Sequence, residues 1–463
     1  MRKIAKIIIL AVLVPAALLF ARIPAAAAVP FRNLVAKAAL LAEVDSGMVL
    51  FEHNMDSRHP AYALTKVMTL LVIVTACESG DADPEDIIEM THSAHYNTNS
   101  ISTARSILPG ERMTLLDLMY SAYAGGADEA CNLLAEHIAG SASRFVSLMN
   151  ERAKELGCLD TNYVNTHGQY SERQYTTAMD QFIIFREALR YPLFVEITGA
   201  YRYEIEETNM SEPRRLTNSN EMLNSNSKYY YRPCTSGMAS ATYEGGYSLV
   251  SFAEANGLSL ISVVLGSDDF IYEDESVDLR NFTESQRLFD WGLSQFSRRT
   301  VLSPTDIVDK APVMHGAGAD FVNLRPEVSV ELLLDNDVPI EEFVRVVTIY
   351  SVENGETLVA PIYAGDVLGE VTLTRKGTDY GTILLVANTS IELNRMQFIR
   401  MQVKDMLASS IARTVIWSLA ALVLGYIALV VRYNILRRKR LKKIADAKRK
   451  LKEERQGWNR YED

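Results

Sequence analysis

The chain has 463 residues, 48% of them hydrophobic and 23% charged, with a net charge of −11. That balance excludes a disordered or fibrous chain and leaves enough apolar material for one or two ordinary cores. Both ends are basic, so the central part is more acidic than the whole, which excludes nucleic acid as its partner.

In chain order, Arg2, Lys3 and Lys6 precede an apolar run from Ile7 to Phe20, and Ala26, Ala27 and Ala28 follow. This pattern predicts a cleavable signal peptide over residues 1–28 and an exported remainder. Residues 39–44 and 48–51 are β-prone runs joined by Asp45-Ser46-Gly47, a hairpin signal. Helical periodicity then covers 64–76, 115–122, 128–139 and 142–156. Strands return at 246–253 and 258–266, and 279–296 reads as a closing helix. Helices with an antiparallel sheet predict an α+β domain over 29–298.

From 299 to 405 the texture changes to short alternating runs at 328–332, 344–350, 369–373 and 381–386, which predict a small β-sandwich. An uncharged apolar run at 414–431 lies inside an expected transmembrane helix over 411–432; eighteen residues at about 1.5 Å each just cross a bilayer core. The tail over 433–463 is basic and includes Arg437-Arg438-Lys439-Arg440. A single-pass protein of the cell membrane is predicted, with its ectodomain exported and its tail cytoplasmic, drawn to anionic lipid headgroups.

The cysteines, Cys77, Cys131, Cys158 and Cys234, have spacings of neither a disulfide framework nor a zinc site, and are expected as buried free thiols. His92 and His95 read as surface residues. No metal and no cofactor is predicted.

One stretch carries chemistry. Pro60-Ala61-Tyr62-Ala63-Leu64-Thr65-Lys66-Val67-Met68-Thr69 resembles the P-x-A-S-L-T-K-x-M-T segment of serine-type D-alanyl-D-alanine carboxypeptidases, the low-molecular-weight penicillin-binding proteins. The likeness continues in register through Leu134-Ala135-Glu136-His137 and Phe145-Val146-Ser147-Leu148-Met149-Asn150. It extends to Asn165-Thr166-His167-Gly168, similar to the family's N-P-H-G, and covers about residues 37–297. The resemblance implies the penicillin-binding, β-lactamase-like fold, an antiparallel sheet packed with helices, and the motif set S-x-x-K, S-x-N and K-T-G.

Carried over residue by residue, the resemblance puts Ala63 at the position of the nucleophilic serine and Lys66 at that of the general base, one helical turn on. A methyl group cannot form an acyl-enzyme. Counting back from Glu136-His137 puts Gly126 at the second motif's serine and Asp128 at its asparagine, where a carboxylate would hold the Lys66 amine as an ammonium. Thr235-Ser236-Gly237 is read as the third motif, with Thr235 in place of the carboxylate-binding lysine and Gly237 leaving room for backbone approach. Alternation turns Cys234 into the core. The expectation is a degenerate, catalytically inactive family member that binds peptidoglycan stem peptides or a cell-wall enzyme. The alternative is an active carboxypeptidase trimming peptidoglycan pentapeptides with an unrecognised nucleophile.

Overall fold

The computed structural model describes residue 31 and residues 33–96, 107–242, 245–271 and 277–458, and all that follows concerns these. The signal peptide expected over 1–28 lies outside the described residues. The chain forms two units, residues 1–299 with 332–339, and residues 300–331 with 340–463.

The first unit is built on a five-stranded antiparallel sheet. Its strands are β1 (Ala38–Glu43), β2 (Val49–His53), β3 (Cys234–Thr242), β4 (Gly246–Ala255) and β5 (Leu258–Ser267), in the spatial order β2-β1-β5-β4-β3. β1 is buried along its whole length because helices cover both faces of the sheet. Ala38, Leu40 and Ala42 face one apolar cluster, and Ala39 and Leu41 the other. The period-2 alternation of the strand divides its side chains between these two cores.

One face carries α1 (Thr65–Ser79), α2 (Leu115–Tyr123), α3 (Asp128–Ala139), α4 (Ala142–Glu155), α5 (Ala178–Ala188) and α6 (Pro192–Gly199). α1 is apolar nearly all round and runs through the middle of this layer, with Val67, Met68, Leu70, Leu71 and Ile73 buried. Its length and composition would also suit a membrane span, but here the same side chains are covered by protein. The opposite face of the sheet is closed by α7 (Arg280–Gln295). Gly292 lets α7 approach, since a Cβ there would sit 2.6 Å from Leu41 Cδ2. α5 and α6 are helices that the sequence pattern does not separate; α6 opens with Pro192 in its first turn, where a missing N–H costs nothing.

β3 pairs with β4 from Thr242 opposite Gly246 to Ser236 opposite Phe252, and then Cys234 meets Ala253. Thr235 is therefore an extra residue, a bulge, and strict alternation breaks between Cys234 and Ser236.

The second unit is β-rich. Its main sheet comprises β6 (Asp309–Met314), β7 (Phe321–Pro326), β8 (Val344–Ile349), β9 (Leu358–Val359), β10 (Val367–Arg375) and β11 (Thr378–Ala387), ordered β8-β10-β11-β7-β6-β9. Leu324, Val371, Leu373 and Leu385 are buried beneath it. α8 (Arg395–Ala408) leads into α9 (Ser410–Trp458), which runs unbroken through the apolar stretch at 414–431. Val415, Trp417, Leu422, Leu424 and Leu429 are all exposed there. A helix apolar on every side and covered by no protein is a candidate membrane span.

Candidate active site

The site begins where a short 3₁₀ turn, Tyr62–Leu64, leads into α1. Neither start has a local side-chain cap; the Leu64 and Thr65 N–H groups donate to carbonyls within the turn, while the Ala63 N–H is directed to β3. Tyr62 has φ of 42°, a left-handed conformation rare for a bulky residue. It is held from behind by Gly168: a Cβ on that glycine would fall 1.9 Å from the Tyr62 carbonyl oxygen.

Lys66, three residues after Ala63, is the second residue of α1 and is only 4% exposed. Its Nζ donates to the Gly126 carbonyl at 2.9 Å and pairs with Asp128 Oδ1 at 3.0 Å. The second acceptor opens α3, and the first lies in the turn between α2 and α3. Gly125 is required there, since a Cβ would meet the Ser121 carbonyl at 2.7 Å, and Gly126 takes φ of 70°. The structure thus brings together Ala63, Lys66, Gly126 and Asp128. A backbone carbonyl and a carboxylate occupy the ammonium, and among the described residues no Ser, Thr or Cys is hydrogen-bonded to it.

Asp128 is the first residue of α3, where the helix N-terminus favours a negative charge. Its other oxygen, Oδ2, stands 3.6 Å from His167 Nδ1. That nitrogen accepts from the Gln169 N–H at 3.3 Å, so it carries no proton for Asp128 and the contact is not an ion pair. Burial pushes the His167 imidazole below its usual pKa; Asp128 opposes this and Lys66 adds to it.

The third expected motif is not at this place. Ser236 is fully buried, its Oγ 2.5 Å from Thr198 Oγ1. Space at Gly237 is taken by Asn220, whose Nδ2 would lie 2.6 Å from an added Cβ, so this glycine admits a neighbouring loop and not a ligand. Thr235 is exposed at the bulge. The strand residue that meets the start of α1 is Ser240, whose Oγ accepts from the Ala63 N–H at 3.3 Å. At about 3.3 Å per residue, Ser236 is some ~13 Å up the strand from Ser240. Neither Thr235-Ser236-Gly237 nor Met238-Ala239-Ser240 contains a lysine, so the absence of the motif cation does not depend on the register.

Other groups are settled by packing. Cys234 is buried in the cluster beneath α7, with its thiol pushed up to about 12 by burial. Thr65 Oγ1 accepts from Gln174 Nε2 at 3.0 Å and Thr69 Oγ1 donates to the Thr166 carbonyl at 2.5 Å, so the two α1 hydroxyls nearest Lys66 in sequence are engaged with other partners. His95 Nδ1 lies 2.9 Å from the Ile107 carbonyl, and among the described residues no cluster suits a metal ion. Tyr229 packs on Phe282 and Tyr231 on Phe289. All four cysteines are free.

Two contributors have no signal in the motif spacing. Ser240 becomes visible only by counting back from the hairpin at Gly246. Tyr62 stacks on Tyr170, ring centroids 5.9 Å apart, and its Cε2 would lie 2.1 Å from a Cβ on Gly245.

A sheet with one helical layer and one closing helix, and a lysine at the start of a buried helix beside the α2–α3 turn, define the architecture of a penicillin-interacting serine enzyme. The sequence profile of the D-alanyl-D-alanine carboxypeptidase family matches residues 24–269. D-alanyl-D-alanine carboxypeptidase DacF of Bacillus subtilis is 27% identical over 344 residues, 74% of this chain and 82% of that one. DacC of Escherichia coli is 30% identical over 295 residues, 61% and 69% of the two chains. The chain belongs to the D-alanyl-D-alanine carboxypeptidase family. Penicillin-binding protein 6B from Escherichia coli shares the fold, with a TM-score of 0.58 at 21% identity over 78% of this chain and 99% of that one. Penicillin-binding protein 5 from Haemophilus influenzae gives 0.57 at 23% identity, covering 78% and 98%.

Proposed function

We propose that this chain is a membrane-anchored, catalytically silent member of its family, which holds peptidoglycan stem peptides or a cell-wall enzyme at the exported face of the membrane and does not trim them. The observation that carries this reading is the environment of Lys66. Its ammonium is bound by the Gly126 carbonyl and Asp128, and the residue one turn before it is Ala63.

Acyl transfer needs an oxygen or sulfur nucleophile and a base able to take its proton. Loss of the nucleophile in a comparable triad costs on the order of 10⁶-fold in rate. Without a lysine on β3, recognition of a free terminal carboxylate loses its charge-assisted partner, so binding of a D-Ala-D-Ala terminus rests on backbone contacts along the strand. The apolar helix at 414–431 and the basic tail behind it support attachment to a membrane with anionic lipid on the cytoplasmic side.

The test is covalent labelling of the full chain by a fluorescent penicillin, beside the variant Ala63→Ser, Asp128→Asn, Met238→Lys, in which the lysine stands two residues before Ser240, the strand residue at Ala63, as the lysine of K-T-G stands two before its glycine. The wild type should stay unlabelled at saturating drug, and any labelling above the gel background should come from the variant alone. Stoichiometric labelling of the wild type would discard the reading in favour of an active carboxypeptidase.

A further inference from the structure

We propose that Ser240 shuts the carbonyl-binding pocket of this site, and that Tyr62 closes over it. The proposal rests on the reading of the chain as catalytically silent, and it says by what geometry the silence is kept beyond the missing nucleophile.

An acyl-transfer site needs free backbone N–H groups aimed at the oxygen of the carbonyl under attack. The 3₁₀ turn that leads into α1, which has no side-chain cap, offers such a group at Ala63. Here that N–H is taken by the Ser240 hydroxyl at 3.3 Å, and Ser240 is only 4% exposed. The family's third motif ends in glycine, and a glycine has neither a Cβ nor a hydroxyl to place in that pocket. Ser240 supplies both, so a ligand carbonyl must displace a buried hydroxyl before it can reach the N–H.

Tyr62 adds a second obstruction from the chain itself. Its ring packs on Tyr170, which follows Asn165-Thr166-His167-Gly168, and against Gly245 in the turn between β3 and β4. One side chain therefore touches both walls beside Ala63. Its left-handed backbone, φ 42°, is maintained by the close approach of Gly168 to its carbonyl. Strain of this kind persists only where the surroundings enforce it.

The experiment uses the full chain in detergent. Hydrogen–deuterium exchange of the Ala63 amide, resolved by mass spectrometry, should be at least about tenfold faster in Ser240→Gly and Ser240→Ala, and near the wild-type rate in Ser240→Thr, which keeps a hydroxyl acceptor. A purely structural role would slow or speed all three alike. In an Ala63→Ser background, an alkylboronic acid should bind about tenfold or more tightly once Ser240→Gly is added, because the serine oxygen adds to boron, its proton passing to bulk water, and an oxygen of the resulting tetrahedral boronate anion occupies the vacated pocket. Unchanged Ala63 exchange in both Ser240→Gly and Ser240→Ala overturns the proposal, as does equal boronate affinity with and without Ser240→Gly. If neither background binds boronate, the exchange result alone decides. Penicillin labelling of the wild type would sink the silent-enzyme reading and leave the exchange result standing on its own.

Discussion

Lys66 and Asp128 form an ion pair of 3.0 Å between a side chain 4% exposed and one 21% exposed. The pair spans the first turns of α1 and α3, so the carboxylate that opens α3 neutralises the lysine at the start of α1. A buried ammonium also needs its hydrogen-bond acceptors, and the Gly126 carbonyl provides the other one.

Removing one partner of such a pair leaves an uncompensated charge. Asp128→Ala should destabilise the first unit by about 2–3 kcal/mol, toward the lower end for a buried pair because Asp128 reaches solvent. Asp128→Asn, which keeps a polar acceptor, should cost about 1 kcal/mol. Adding Lys66→Met to Asp128→Ala should recover most of the loss, since the methionine needs no partner. Denaturant unfolding followed by tryptophan fluorescence measures all three, and a double variant no more stable than Asp128→Ala would show that the charge is not what matters.

Gly168 and Gly80 both have positive φ, 97° and 79°, but differ in surroundings. A Cβ at Gly80 meets nothing within 4 Å, whereas at Gly168 it meets backbone atoms of Tyr62 and Ala63. Gly80→Ala should therefore cost only the left-handed penalty, about 1–2 kcal/mol. Gly168→Ala should cost more than about 3 kcal/mol and disturb the Tyr62 turn. Equal melting points for the two variants would contradict the close approach.

His167 gives a pH dependence with a definite sign. Its folded pKa lies below the usual 6.5 because the ring is buried, so the folded chain binds fewer protons than the unfolded one within that window. Stability therefore rises with pH through the window and falls as the pH drops from 6.5 through the lowered value. His59 is lowered by burial as well and contributes in the same direction. Melting temperature against pH should show an acid limb that His167→Gln makes shallower; parallel curves for wild type and variant would exclude His167 as its source.

The thiols should be unreactive in the native state. Burial pushes Cys77 up to about 11 and both Cys131 and Cys234 up to about 12, and it raises Cys158 as well. Thiolate is the reactive form, so a disulfide reagent at mildly alkaline pH should reach at most the half-buried Cys77, slowly, and all four only after unfolding. Rapid labelling of Cys234 would place it outside the core and reopen it as a nucleophile.

Much of the fold was legible in local pattern. Periodicity located α1 to α4 and α7 within a few residues, and the paired runs at 246–253 and 258–266 became β4 and β5. α5 and α6 were missed because both are apolar on several sides, which erases the 3.6-residue contrast. In the site, the spacing from Ala63 to Lys66 and the count back to Gly126 and Asp128 led to residues that do meet. The third motif was misplaced because the bulge at Thr235 breaks alternation, and a Ser-Gly pair in Ser236-Gly237 imitates the motif's end while serving to pack Thr198 and Asn220.

By itself, the sequence determined which chemical groups are present. An alanine stands one turn before the lysine, no cation occurs on β3, and an uncharged run long enough to cross a bilayer precedes a basic tail. These are matters of composition and short spacing, which covalent order settles. Only the tertiary structure decided that the Gly126 carbonyl joins Asp128 on Lys66, that Ser240 and not Ser236 meets Ala63, and that Tyr62 bridges two walls. Each of those contacts joins segments from about 60 to 180 residues apart, and such pairings are chosen by packing and hydrogen bonding across the fold, which short sequence spacing does not record.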